Sequence, residues 1–254
     1  MPSSLRCLAI PTLNVSRKRM ELDTKSEELF AAICGRHSYE VTKLPTRSDE
    51  YLKTADFSAL TPYGRIVAEI EELSPNPDDL RQIKEMKETG ITHGGGTIGV
   101  RARRAIRHAS IQLSDHSNEQ VPLIAVLYDN VRTLDGRVAY PLYYLEPHHI
   151  DAAMYGQRVV HVALRGGVTP HSDRSGGGRT TTPNEKNYLS AVAIISDWDD
   201  KKLFVYHNCF ADYPLPVEVF SDHLCHHLKK GSDPCQEPWQ WHAATGANRV
   251  ARGI

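Results

Sequence analysis

The alternation of apolar and polar residues divides the chain into short elements. Residues 23–37, DTKSEELFAAICGRH, open with a capping residue (Thr24 or Ser26) and acids in the first turn. Leu29, Phe30 and Ile33 follow, and the pattern predicts a helix. YEVTKLP reads as a short strand closed by proline. YLKTADFSAL and RIVAEIEEL read as two strands joined by the turn TPYG. PNPDDLRQIKEMKETG predicts a polar helix, ITHGGGTIG a glycine-rich loop, and VRARRAIRHASIQLS a helix with Val100, Ile106, Ala109 and Leu113 on one side. VPLIAVLYDN is the continuous apolar run of a strand covered on both faces. Residues 147–160 read as helical, 165–187 as a long loop, 188–208 as a hairpin with an Asp-rich turn, and 221–254 as a polar tail. Antiparallel hairpins mixed with strand–helix crossovers predict an α/β sandwich around a mixed sheet.

Composition narrows the picture modestly. With 254 residues and 40% hydrophobic residues, the chain is long enough to bury a core in one large domain. A formal net charge of −1 withholds the simplest argument for a polyanionic partner, although a local basic face remains open. The five cysteines, Cys7, Cys34, Cys209, Cys225 and Cys235, are odd in number and widely spaced, which fits free thiols in a reducing compartment. No segment reads as a secretory signal or a membrane span, so a cytoplasmic protein is expected.

Candidate chemistry begins on RIVAEIEEL. Strand alternation points Glu69 and Glu71 to one face and Ile66, Ala68 and Ile70 to the other. A hairpin across TPYG would bring Asp56 beside Glu69. Three carboxylates on one face repel one another, and burying them unpaired is expensive. A divalent cation such as Mg²⁺, or Mn²⁺ in its place, removes that penalty through oxygen ligands.

An aspartate, a turn, and Glu-X-Lys on the next strand is the signature of the PD-(D/E)xK nucleases, and TADF…IVAEIEEL resembles it. The resemblance covers roughly residues 20–215 and implies a restriction-endonuclease-like fold within a single domain spanning 1–220. It implies that the SEELF helix adds an acid, Glu28 by preference or Glu27, and that Gln112 lies near the site on the helix after the motif. Ala55 stands where proline is usual, and Glu71 where lysine is usual. Some restriction enzymes of this fold carry glutamate at the second position and are active. The implied activity is metal-assisted phosphodiester hydrolysis: Asp56, Glu69 and the Ile70 carbonyl would hold Mg²⁺, and Glu71 would orient or deprotonate the water. Lys53 is a candidate for the missing cation, with a surface role as its alternative.

Arg101, Arg103, Arg104 and Arg107 make one face of the following helix cationic, which suits phosphate-backbone contacts. Arg165, Arg174 and Arg179 add charge on the long loop. GGGTIG satisfies G-x-G-x-x-G but lacks a strand before it and the Lys-Ser/Thr of a phosphate-binding loop, which argues against a nucleotide cofactor. Cys225, His226 or His227, Cys235 and His242 could ligate zinc, but their spacing matches no usual pair. The reading is therefore a Mg²⁺-dependent nuclease acting on DNA, with RNA second. Its competitor is a silent member of the fold that binds nucleic acid or a protein partner. A homodimer is compatible with either and required by neither.

Overall fold

The computed structural model describes residues 22–45, 54–90, 99–130, 145, 147–156, 158–161, 171–174, 180–182, 185–196, 202–208, 210–220, 224–226 and 241–243. The elements in chain order are α1 (Lys25–Arg36), β1 (Glu40–Lys43), β2 (Phe57–Thr61), β3 (Gly64–Leu73), α2 (Pro77–Thr89), α3 (Val100–Leu113), β4 (Leu123–Asp129) and α4 (Pro147–Tyr155). They continue as β5 (Arg158–His161), β6 (His171–Arg174), β7 (Leu189–Ser196), β8 (Lys202–His207), β9 (Leu224–His226) and β10 (Trp241–Ala243). Eight strands form one mixed sheet in the order β1-β2-β3-β4-β7-β8-β9-β10, and β5 pairs with β6 apart from it. The fold is α/β. No helix among the described residues is long and apolar enough to cross a membrane.

The centre of the sheet is parallel, with β4 between β3 and β7. Every residue of LIAVLYD in β4 is buried, as a strand with helices over both faces requires. On one face, Leu29, Phe30, Ile33 and Cys34 of α1 pack on Phe57, Ile66, Ala68, Ile124 and Val126. On the other, Ala102, Ile106, Ala109 and Leu113 of α3, with Ile150 and Met154 of α4, pack on Val67, Leu73, Ala125 and Leu127. Apolar residues of β3 thus alternate between the two cores, and Glu69 and Glu71 fall on the α3 side with Val67 and Leu73.

The β2–β3 hairpin has a two-residue loop, Pro62–Tyr63. Gly64 at φ +117° follows it, and Thr61 Oγ1 donates to the Gly64 carbonyl at 2.8 Å. This short loop fixes the register, which sets Phe57 opposite Ala68. The crossover from β3 to β4 starts with a capping box: Asn76 and Asp79 exchange side-chain-to-backbone bonds of 2.9 and 2.7 Å at the head of α2. Gly99, at φ +75°, opens α3 against α4, and its N–H donates to His149 Nδ1 at 3.1 Å.

Three stretches differ from the sequence expectation. The helix read over 147–160 stops at Tyr155, because Gly156 turns to φ +103°, and Arg158–His161 is a strand. Its partner, His171–Arg174, lies inside the expected long loop. The polar region after residue 220 contributes β9 and β10, each only three residues and too short for a hydrophobic period to register. Cys225 and His242 are register partners there, while His227 and Cys235 lie outside the described residues. So do the glycine loop over 91–98, and Lys53, Arg165, Arg179, Cys7 and Cys209.

A methyl group on Gly99 would meet the His149 carbonyl oxygen at 2.7 Å, in a backbone conformation that L-residues avoid. Gly99→Ala is therefore expected to destabilise the fold by at least roughly 1–3 kcal/mol, read as a lower urea midpoint with an unchanged slope.

Candidate active site

Asp56 sits where the chain enters β2, one residue before ladder pairing begins. Its carbonyl accepts from the Leu44 N–H at 2.7 Å, which ties it to the end of β1. Its N–H donates to Glu69 Oε2 at 3.1 Å, and its own Oδ2 accepts from the Ile70 N–H at 2.8 Å. The hairpin register alone would set Asp56 across from Glu69. These bonds show that each carboxyl also takes a backbone N–H from the other's strand, so both are held in place.

Burial drives the electrostatics. Asp56 is pushed up from an ordinary 3.8 to about 6, first by burial. The Ile70 N–H and Lys43 oppose that rise, while the charges of Glu27 and Glu71 add to it. Glu69, only 2% exposed, is pushed up from 4.5 to about 9 by burial and then by the charges of Asp56 and Glu71. The Asp56 N–H pulls the other way, and a hydrogen bond between the two carboxyls adds to the rise. The pair therefore holds a proton near neutral pH.

Helix α3 supplies the other wall. Gln112 Nε2 donates to Glu69 Oε1, and His108 Nδ1 pairs with Glu71 Oε1. The spacing makes both contacts simultaneous. Four residues of helix rise about 6 Å, and two residues of strand rise about 7 Å. The order is reversed, Gln112 to Glu69 and His108 to Glu71, as expected for a crossover helix running back along β3 before parallel β4. Glu72, on the α1 side, instead accepts from the Ser26 N–H at 3.3 Å and from Asn130 Nδ2 at 2.6 Å.

The structure thus brings Asp56, Glu69, Glu71 and Gln112 to one end of β3, with the Ile70 backbone meeting Asp56 through its N–H. Glu28 is not among them. It is exposed on α1, one position round from the face carrying Glu27, Phe30 and Cys34. Glu27 is the buried acid there: it pairs with Lys43 Nζ at 3.0 Å and accepts from the Asp23 N–H at 2.6 Å. Lys43 also bonds Asp23 at 2.7 Å. Burial works against the Lys43 charge, but these two acids outweigh it and hold its ammonium above the ordinary value.

The four arginines separate. Arg101 is bound to Asp79 and donates to the Ser74 carbonyl, so it braces the start of α2. Arg103 is half-buried, while Arg104 and Arg107 are exposed. His108 and Lys43 were not singled out by the sequence reading. The spacing of His108 to Gln112, matched to that of Glu71 to Glu69, was the available signal for the first. For Lys43 the sequence carried none, because its partners lie on another element.

Among the described residues, no group of three or more His, Cys, Asp and Glu side chains is arranged to hold a metal ion. Asp56 and Glu69 form a pair of hard oxygen donors, and two carboxylates completed by water match the habit of Mg²⁺. The raised proton affinity of the pair comes first from burial and then from neighbouring carboxylates, and a bound cation would oppose both.

Two outcomes follow. A carboxyl with a raised folded-state value favours the fold at low pH and loses that contribution as pH rises from its unfolded value to its folded one. The cation-free protein is therefore expected to lose stability steadily from about pH 4 to about pH 9, and Glu69→Gln to flatten the upper part of that profile in chemical denaturation. Arg101→Ala takes the ion-pair partner from buried Asp79, which keeps its bond to the Asn76 N–H, and is expected to cost about 1–3 kcal/mol, against less than about 0.5 for Arg104→Ala, in the same measurement.

No protein-family model, curated protein or solved structure matches the chain.

Proposed function

We propose that the protein is a metal-dependent phosphodiester hydrolase, a nuclease with a restriction-endonuclease-like arrangement of the sheet and acidic hairpin. The observation that carries this reading is the pairing of half-buried Asp56 with buried Glu69, locked together by reciprocal backbone bonds at the end of a hairpin. The order of helix, antiparallel hairpin, crossover helices and parallel β4 supports it. So does the placement of Gln112 on Glu69.

Asp56 and Glu69, with the Ile70 carbonyl as the expected third ligand, would hold Mg²⁺ or Mn²⁺. Once bound, the ion supplies charge neutralisation at a phosphoryl oxygen and a more acidic water. Asp56 and Glu69 are kept in place by the Ile70 and Asp56 N–H groups, and Gln112 fixes the Glu69 carboxylate plane. Arg104 and Arg107, exposed on α3, fit non-specific contact with a DNA backbone, with RNA as the second substrate. Arg101 is left out of that role by its bond to Asp79.

A second reading is favoured by one observation: Glu71, in the place of the motif lysine, is engaged by His108 and offers no ammonium to the site. A silent member of the fold, binding nucleic acid or a protein partner, would look the same at Asp56 and Glu69.

Titration calorimetry with Mn²⁺ is expected to show stoichiometric binding and a raised Tm, both lost in Asp56→Asn with Glu69→Gln. Cleavage of plasmid, single-stranded DNA and RNA with Mg²⁺ or Mn²⁺ is expected in the wild type and at least about 100-fold weaker in Glu69→Ala. Equal trace activity in both rules out the hydrolase. Binding of nucleic acid without cleavage supports the silent reading.

A further inference from the structure

We propose that His108 is the group that takes the proton from the attacking water, with Glu71 as the residue that positions it. This rests on the hydrolase reading and adds to it a residue from the crossover helix.

The pairing through Nδ1 carries the argument. The His108 Nδ1–Glu71 Oε1 contact is assigned its hydrogen on Nδ1, because an ionised carboxylate only accepts hydrogen bonds. In the neutral ring this leaves Nε2 as a bare acceptor, pointing away from Glu71. A carboxylate that fixes the tautomer and orientation of a histidine is the arrangement general-base catalysis uses on unrelated folds. Glu71 is 19% exposed, and its Oε1 is spent on this bond, whereas the His108 side chain is 52% exposed and reaches solvent from the α3 wall.

Position agrees with the role. Glu71 is two residues beyond Glu69 on the same face of β3, about 7 Å along the strand. Under the proposal the attacking water and a phosphoryl oxygen lie along that span, between the acid pair and the imidazole. Arg104 is one turn before His108 on α3 and is also exposed, so a phosphate backbone along this face of the helix would pass the imidazole. A purely tethering role is the poorer account. Gln112 already links α3 to β3 one turn away, and a contact to so exposed an imidazole adds little to stability.

The step balances without a further reagent. As the water oxygen bonds to phosphorus, one of its protons moves to His108 Nε2. The bond from phosphorus to the leaving sugar oxygen breaks with its electron pair, and that oxygen takes a proton from solvent. His108 then returns its proton to solvent. The products are a phosphomonoester and an alcohol, and no oxidation state changes.

The test is steady-state cleavage of a labelled DNA duplex with Mn²⁺ by wild type, His108→Ala, His108→Gln and Glu71→Gln, with Glu69→Ala setting the background. His108→Ala and His108→Gln are expected to lose about 100-fold or more in kcat with KM little changed, and added imidazole to restore part of the His108→Ala rate. Long-range ¹⁵N–¹H correlation spectra of the cation-free protein provide a readout apart from activity. They are expected to show His108 protonated on Nδ1 in the wild type and to lose that preference in Glu71→Gln. His108→Gln keeps a donor for Glu71 but cannot act as a base. If it retains the wild-type kcat, or if the spectra place the proton on Nε2, the proposal is overturned and the hydrolase reading stands. If the wild type cleaves no faster than Glu69→Ala, both fall together.

Discussion

Two carboxyl groups that would repel each other in water are held side by side at the open end of a hairpin, and the local architecture serves that confinement. Asp56 leaves the β2 ladder one residue early, so its backbone N–H is free to reach Glu69 and its carboxyl to reach the Ile70 N–H. The two-residue loop at Pro62–Tyr63 sets this register, and the Leu44 N–H holds the Asp56 carbonyl from the β1 side. Burial then does what it does to any carboxyl: it raises proton affinity, the more so with a second acid alongside. A hydrophobic replacement would relieve the tension. Under the hydrolase reading, a bound cation is what would offset their crowding.

The crossover helix closes the arrangement from above. Its inner side chains, Ala102, Ile106, Ala109 and Leu113, seat it on the sheet, while His108 and Gln112 lie along its margin over β3. Helix rise and strand rise nearly coincide over this span, so two contacts form at once without bending either element. At its start, α3 is pinned by the Arg101–Asp79 pair and by the close approach of Gly99 to α4. The margin that faces β3 is thus set by features a full turn or more away.

Much of this was legible in the sequence. The TPYG turn allows the hairpin register to be counted backwards, which places Asp56 next to Glu69 before any coordinate is known. The unbroken apolar run of β4 announced a strand covered on both faces, and α3 showed most of its buried side in its spacing, with Ala102 rather than Val100 buried at its start. What failed to show were contacts between elements. Glu27 and Glu28 are adjacent acids in one helical turn, and only the exact rotation of α1 on the sheet decides which is buried. Arg101 looked like its neighbours until Asp79, on another helix, claimed it. His108 was passed over because an imidazole is informative only when its partner is known, and Glu71 lies far from it in sequence. The strands β9 and β10 are too brief to leave a pattern.

Because His108 and Gln112 ride on one helical edge, the spacing between Arg101 and His108 carries as much information as the residues themselves. One extra residue there would rotate everything downstream by about 100° and swing both groups off β3, although every side chain of the site would still be present. Length, rather than composition, is what this segment has least freedom to change. Drift in relatives of this chain should therefore accumulate as substitutions along α3, with insertions confined to positions ahead of its first turn.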